Sequence, residues 1–455
     1  MSEGIAASCH RHIEQGDMMG TFKTTRALAL AAMAAPLAWG APARADGTPA
    51  QPKFGDPITV GDGVTFDPML DMRLRWEDVD ATSKSADAVT LRTRAGFEIR
   101  DASTHLGFLA EAVGTLAFDK GYNAFPYAVP GNNQYRPSLA TIADPQTLGL
   151  NRVQIQYATK ALTLTVGRQR INLDDQRFVG SVGWRQNEQV FDAARAQVHQ
   201  GVFDLDATYA IQQHSIYGAY GNPRDYYSGK FIFVNGGVKD GPITLKGFAY
   251  LLDYDKTGFI NLPAARGQLD SSQTYGMRFA TLLPLAKTVS LGLTGSYARQ
   301  SNYGNNTRGY GVNYFLGDAA LTIHNQTANV GYELMGADAN AVGGTWSMQT
   351  PMATLHKFDG WADIFLTTPN AGLGDTYVGL SGKFPKVKVL PGLTYAASYH
   401  WFGSDVGNVK FGNEFDASVG LKTGRVGWLV KYASYVAKGF GVDTRKFWLE
   451  ADFGF

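Results

Sequence analysis

The chain has 455 residues, with 41 Lys and Arg against 40 Asp and Glu. So even a balance offers no basic footprint for nucleic acid, and a single cysteine, Cys9, gives neither a disulfide framework nor a thiolate metal site. Beyond residue 45 no apolar stretch approaches the ~20 residues that a membrane-spanning helix needs, so any membrane span here has to be made of strands.

Residues 1–45 read as a leader. Lys23 and Arg26 form a short basic region after Met18 and Met19, 27–39 is almost wholly apolar, and Ala43-Arg44-Ala45 has the small-x-small form that signal peptidase accepts. Export with cleavage before Asp46 is therefore expected, with translation starting at Met18 or Met19, because 1–17 fits neither part of a signal. The leader carries four cations and three carboxylates, and without it 37 of each sign remain. Residues 46–62, rich in Pro, Gly and Asp, read as a periplasmic lead-in.

From residue 63 to 455 the dominant signal is strict alternation over segments of about ten residues, the pattern of strands with one apolar and one polar face. Phe66, Leu70, Met72, Leu74 and Trp76 share one face, and Asp67, Asp71, Arg73, Arg75 and Glu77 the other. Val89, Leu91, Phe97 and Ile99 then oppose Arg92, Arg94, Glu98 and Arg100. The segments predict strands near 64–79, 87–100, 104–119, 150–159, 161–172, 190–200, 202–217, 226–239 and 242–256. A second set follows near 271–283, 287–301, 308–323, 327–336, 374–383, 389–404, 413–423, 426–437 and 443–455.

These eighteen segments fit an all-β fold, a transmembrane antiparallel up-and-down β-barrel with both termini on the periplasmic side. Tight turns such as 101–103, 159–160, 200–201 and 239–242 alternate with longer loops, the plan of short periplasmic turns and long extracellular loops. Aromatics near strand ends (Tyr217 and Tyr220, Tyr226 and Tyr227, Tyr399, Trp401 and Phe402) suit a lipid–water girdle. The chain stops on an alternating strand ending in Phe455, resembling the signal read by the barrel-assembly machinery. Around eighteen strands leave an aqueous lumen, whereas eight are filled by side chains. The expected site is the outer membrane of a Gram-negative bacterium, among its lipid and lipopolysaccharide.

On this alternation the lumen wall is mixed. Arg73, Arg75, Arg92, Arg94, Arg100, Arg152, Lys246, Arg278 and Lys422 face inward, against Asp71, Glu77, Glu98, Glu111, Asp204, Asp206, Glu333, Glu414, Asp416, Glu450 and Asp452. One local excess stands out: Arg168, Arg170, Arg177, Arg185 and Arg195 lie in one strand–loop–strand unit with Asp174, Asp175, Glu188 and Asp192. That cluster is either a constriction that binds carboxylates bidentately or a set of Arg–Asp pairs pinning the loop to the wall. Arg168 and Arg170 fall on the face that Leu162, Leu164 and Val166 turn to lipid, where a charge costs roughly 2–4 kcal/mol at mid-depth. A register shift is expected at Gly167, where a bulge needs no side chain.

Loop 336–374 is far longer than a hairpin needs and carries Trp346, His356, Phe358, Trp361 and Phe365. Its aromatic content predicts a loop folded into the lumen or capping the mouth, the alternative being packing outside. Loop 120–150, with Tyr122, Phe125, Tyr127 and Tyr135, is a second candidate.

The stretch VGRQRINLDDQRFVGSVGWRQNEQVFDAAR, 166–195, resembles the alginate export family of outer-membrane proteins, as does MQTPMATLHKFDGWADIFLTTP, 348–369. The resemblance implies a monomeric barrel with an electropositive conduit for an anionic polysaccharide. The expected function is thus a channel or exporter of that type, passing anionic polysaccharide, oligosaccharide or small polar solutes. The alternative is a general porin of weak selectivity. A barrel enzyme or adhesin is the remaining class, and His214 beside Ser215 and Asp225 is its only local set. No catalytic, metal or cofactor site is expected: His105, His199, His214, His324, His356 and His400 show no ligand spacing and read as wall or turn residues.

Overall fold

Alternating strands buried in lipid on one side have to satisfy every backbone donor and acceptor laterally, and only a closed cylinder does so without an edge costing several kcal/mol per unpaired group. The computed structural model describes residues 55–455 apart from 130, 221–224, 256–267, 386 and 388. The leader and residues 46–54 of the lead-in lie outside the described residues.

The first strands are β1 (Ile58–Gly61), β2 (Val64–Ala81), β3 (Lys84–Asp101), β4 (Leu106–Gly121), β5 (Thr147–Ala158), β6 (Leu162–Gln169) and β7 (Val190–Gln200). Next come β8 (Phe203–His214), β9 (Tyr226–Asp240), β10 (Ile243–Tyr254), β11 (Ser272–Ala286), β12 (Val289–Asn302), β13 (Gly311–Ile323) and β14 (Gln326–Met335). A long loop carries the two-residue β15 (Ala337–Asp338) and β16 (Trp346–Ser347), which pair with each other. Five strands finish the wall: β17 (Leu373–Phe384), β18 (Leu393–Gly403), β19 (Lys410–Thr423), β20 (Val426–Ala437) and β21 (Thr444–Gly454).

Every neighbour is antiparallel, and β21 returns to β2 from Asp71↔Gly454 to Ala81↔Thr444. The sheet of 19 strands is therefore a closed barrel of eighteen plus β1, which folds back on β2 as a hairpin. That short strand lies within 46–62, the stretch read from sequence as a periplasmic lead-in.

The wall is inverted relative to a water-soluble protein. Val166, Phe203 and Met277 are 62%, 62% and 59% exposed on the outside, while Arg75, Glu77, Arg92 and Glu414 are buried within. Two long loops, 170–189 and the one between β14 and β17, turn inward and a third packs at the rim, so charged side chains that would line open water are covered by protein instead. Loop 122–146 packs Tyr122, Phe125 and Ile142 against Val79, Ala86, Ala88 and Ala117 on the tall β2–β4 rim.

Some girdle aromatics were misassigned. β8 ends at His214, and Tyr217 packs on Tyr127 of loop 122–146 at 5.1 Å between ring centroids. Phe402 points inward against Phe365, whereas Trp401 stays 45% exposed on the outer face beside Tyr399. His105 and His324 occupy turns in the left-handed region, at φ 62° and 57°.

Candidate functional site

The arginine-rich loop 170–189 leaves the wall early, because β6 stops at Gln169 rather than near residue 172. Pairing of β5 with β6 runs unbroken through Gln154↔Gly167 and Val153↔Arg168, so the expected bulge at Gly167 is absent. Gly167 does carry a φ of 121°, and a Cβ there would lie 2.3 Å from the Val153 carbonyl oxygen. The register shifts sit in the neighbouring ladders, at Glu111/Ala112 and Asp192/Ala193. The first leaves Asn151 without a partner in the ladder and lets two consecutive residues, Asn151 and Arg152, both reach Glu111 (2.5 and 2.8 Å).

Arg170 turns inward by leaving the strand and meets Glu188 at 2.5 Å. Arg168 does not turn. Directly opposite Val153 and Asp192, it shares the outer face with the exposed Val166 and is neutralised there by Asp192 at 2.8 Å. His214 Nε2 contacts the same carboxylate at 2.9 Å, so the nominated histidine braces an ion pair on the outer wall. Because a charge unpaired in lipid is costly, Arg168→Leu is expected to destabilise the barrel by on the order of 2 kcal/mol, and adding Asp192→Leu to recover most of it. Urea unfolding in lipid vesicles reads both, and equal losses in single and double variants contradict the lipid-face placement.

Inside, the loop is fastened across the barrel. Asp174 takes the Asn235 side-chain amide and Lys246 (2.9 Å), and Asp175 takes Arg278. Arg177 lies 2.7 Å from Glu333 and 2.9 Å from Asp359. Arg185 reaches Asp363 at 2.8 Å and Glu77 at 3.3 Å. On the near wall Arg73 holds Asp452 and donates to the Gly183 and Trp184 carbonyls, while Arg75 holds Glu450 at 2.5 Å and lies 4.1 Å from the Trp184 ring centre. Arg92 pairs with Asp71, Arg94 with Glu188 (3.3 Å), and Arg195 with Asp206 (2.5 Å). Every arginine nominated from sequence is matched by a carboxylate.

The loop between β14 and β17 enters from the opposite side. Gly360, at φ 82°, brings the chain against Glu414, where a Cβ would sit 2.5 Å from the carboxyl carbon. The Trp361 and Ala362 amides donate to Asp416 (3.2 Å) and Glu414 (2.6 Å). His356 stacks on Trp184 at 4.5 Å, takes Lys431 Nζ at 2.7 Å on Nε2, and meets Asp363 through Nδ1. Burial, with Asp363 pulling the other way and Lys431 adding to it, pushes His356 well below its ordinary value. Phe358 lies beneath Arg177, Trp361 beneath Lys431, and Phe365 against Phe402, Phe411 and Phe440. Trp346, in the same core cluster, lies under Arg308 and beside Tyr310.

The two loops are also bonded to each other. Gly180 N donates to Met352 O (2.9 Å), Thr354 N to Gln176 O (3.0 Å), and Gln189 Nε2 to Met352 O (2.9 Å). Residues that complete this assembly but were not nominated include Trp184, Asp144, Asp359, Asp363, Lys431, Lys446 and Trp448. Lys431 was discoverable, since it shares the inward face of β20 with Ala433 and Tyr435. Among the described residues no group of three or more His, Cys, Asp and Glu is placed to hold a metal ion.

Residues 70–212 match the family described as alginate export. No curated protein sequence matches the chain. Among solved structures it is similar to Pseudomonas aeruginosa OpdK with vanillate, at 13% identity and a TM-score of 0.64 over 86% of this chain and 98% of that one. Acinetobacter baumannii OccAB2 is similar at 15% identity and 0.63, again over 86% and 98%. Pseudomonas aeruginosa OpdO is similar at 16% identity and 0.60, over 86% and 97%.

Proposed function

We propose that this outer-membrane barrel, matching the alginate export family across residues 70–212, is a channel that passes small polar solutes through a lumen narrowed by its two infolded loops. The carrying observation is the loop assembly itself, in which Arg177 and Arg185 bridge loop to loop and loop to wall. A braced partition of this kind narrows the bore. It favours solutes of a few heavy atoms over a hydrated polymer.

The neutralised wall supports weak ion selectivity, because a pore selects by the sign of unbalanced charge along its path. The second reading, export of an anionic polysaccharide or its oligomers, is favoured by the match of the segment containing the loop 170–189. Partly exposed Arg152 and Arg170 would contact such a solute.

Planar-bilayer recording of the purified protein separates these readings. The expected result is small unitary conductance, a reversal potential near zero in a salt gradient, and no block by oligouronates. Strong anion preference with oligouronate block would replace this reading with the polysaccharide one. Arg170→Gln is expected to shift the reversal potential only slightly, since Glu188 retains Arg94.

A further inference from the structure

The wall from β11 to β18, together with the 357–361 turn, encloses a recess of about 380 Å3 that opens to the lumen. Five carboxylates line it: Asp175, Asp318, Glu333, Asp359 and Asp375. The cations there are Arg278 and Lys357, with the titratable His400, and Arg177 behind. Carboxylates exceed fixed cations even with Arg177 included.

Most donors in the recess already face an oxygen: Arg278 meets Asp175, Lys357 the Asp175 carbonyl (2.8 Å), Arg177 hydrogen-bonds Asp359 and lies 2.7 Å from Glu333 although its Nε makes no hydrogen bond, and His400 meets Asp375 (2.9 Å). Acceptors are left over. Asp359 is 6% exposed, and its Oδ1 receives no hydrogen bond among the described residues although Oδ2 takes Arg177. Asp318 accepts Asn329 (2.9 Å) and Tyr377 (3.1 Å) both on Oδ2. A buried carboxylate oxygen with no donor costs free energy that an incoming charged donor recovers. The Tyr377 ring on the same lining suits a weakly hydrated organic cation, while Phe358 and Trp361 already lie against Arg177 and Lys431. Among the described residues no three of these side chains are grouped to hold a bare metal ion.

We propose that this recess is a binding station for small organic cations carrying an ammonium or guanidinium group, held at Asp318 and Asp359 on their way through the barrel. This inference rests on the channel reading for transit, but not for binding.

The test uses agmatine, which carries both groups, on the full-length protein in planar bilayers and, separately, by calorimetry in detergent. Agmatine is expected to produce brief current interruptions and a saturable heat, whereas glutarate at equal concentration gives neither. Asp318→Asn should weaken both by about tenfold, and Asp318→Glu should restore them. Open channels that agmatine never interrupts, with no saturable heat, overturn the station, as does an Asp318→Asn variant with unchanged affinity. Saturable heat in a protein that conducts no ions keeps the station and removes the channel reading.

Discussion

Arg185→Ala is expected to loosen both infolded loops at once and turn a quiet channel into a noisy one. Arg185 is 5% exposed and serves Asp363, Glu77 and, at 3.7 Å, Asp144. Removing one partner of a buried pair costs about 3–5 kcal/mol, mostly because the remaining charge is stranded. Asp363 retains Lys446 at 2.8 Å and Asp144 retains Arg75 at 3.5 Å, so Glu77 bears most of the loss. The strands themselves keep their ladders, and the damage stays local. Flickering conductance and proteolysis within 170–189, with an intact barrel band on unheated gels, are the expected readouts. Adding Glu77→Gln should quieten the channel again. Steady single-channel currents and full protease resistance in Arg185→Ala would show that the loops are held by other contacts.

Excising residues 348–367 and joining the ends with a short Gly-Ser linker is expected to have the largest effect of any change to the lumen. The excised segment contains Asp359, Asp363 and Lys357. Its removal takes the partners of Arg177, Arg185 and Lys446 while leaving those cations on the remaining loop and wall. Conductance should rise severalfold, and the reversal potential should move toward anions because unbalanced positive charge now lines the path. Glu333 and Glu77 still offset Arg177 and Arg185, so the shift is moderate rather than complete. A larger pore without any change of selectivity would mean that the solute path avoids these cations.

The wall was readable because its information is local. Alternation with period two sets the apolar face of each strand, and one-residue slips would put charge into lipid, so strand positions such as 190–200 and 426–437 coincide with β7 and β20. The interior was less readable because its contacts are not local. Arg177 and Asp359, or Thr354 and Gln176, lie in segments whose proximity no periodicity encodes. Arg168 shows the same limit from the other side. Its outward placement followed from alternation, but the remedy in the structure is a cross-strand carboxylate, Asp192, rather than the bulge at Gly167. Loop 336–374 was flagged by length and aromatic content, yet its docking on Glu414 and Asp416 depends on Gly360 approaching β19, which only three-dimensional geometry reveals.

The cross-braced loops also impose an order on biogenesis. Gln176 and Thr354 are separated by 178 residues, and Val182 and Thr354 by 172, so the partition cannot form until late in the folding of the chain. Its last anchors, Lys431 and Lys446, stand on β20 and on the strand that seals the cylinder to β2. Contacts of such long sequence separation form slowly. The partition thus depends on closure of the cylinder, because two of its anchors stand on the last strands before the seam with β2.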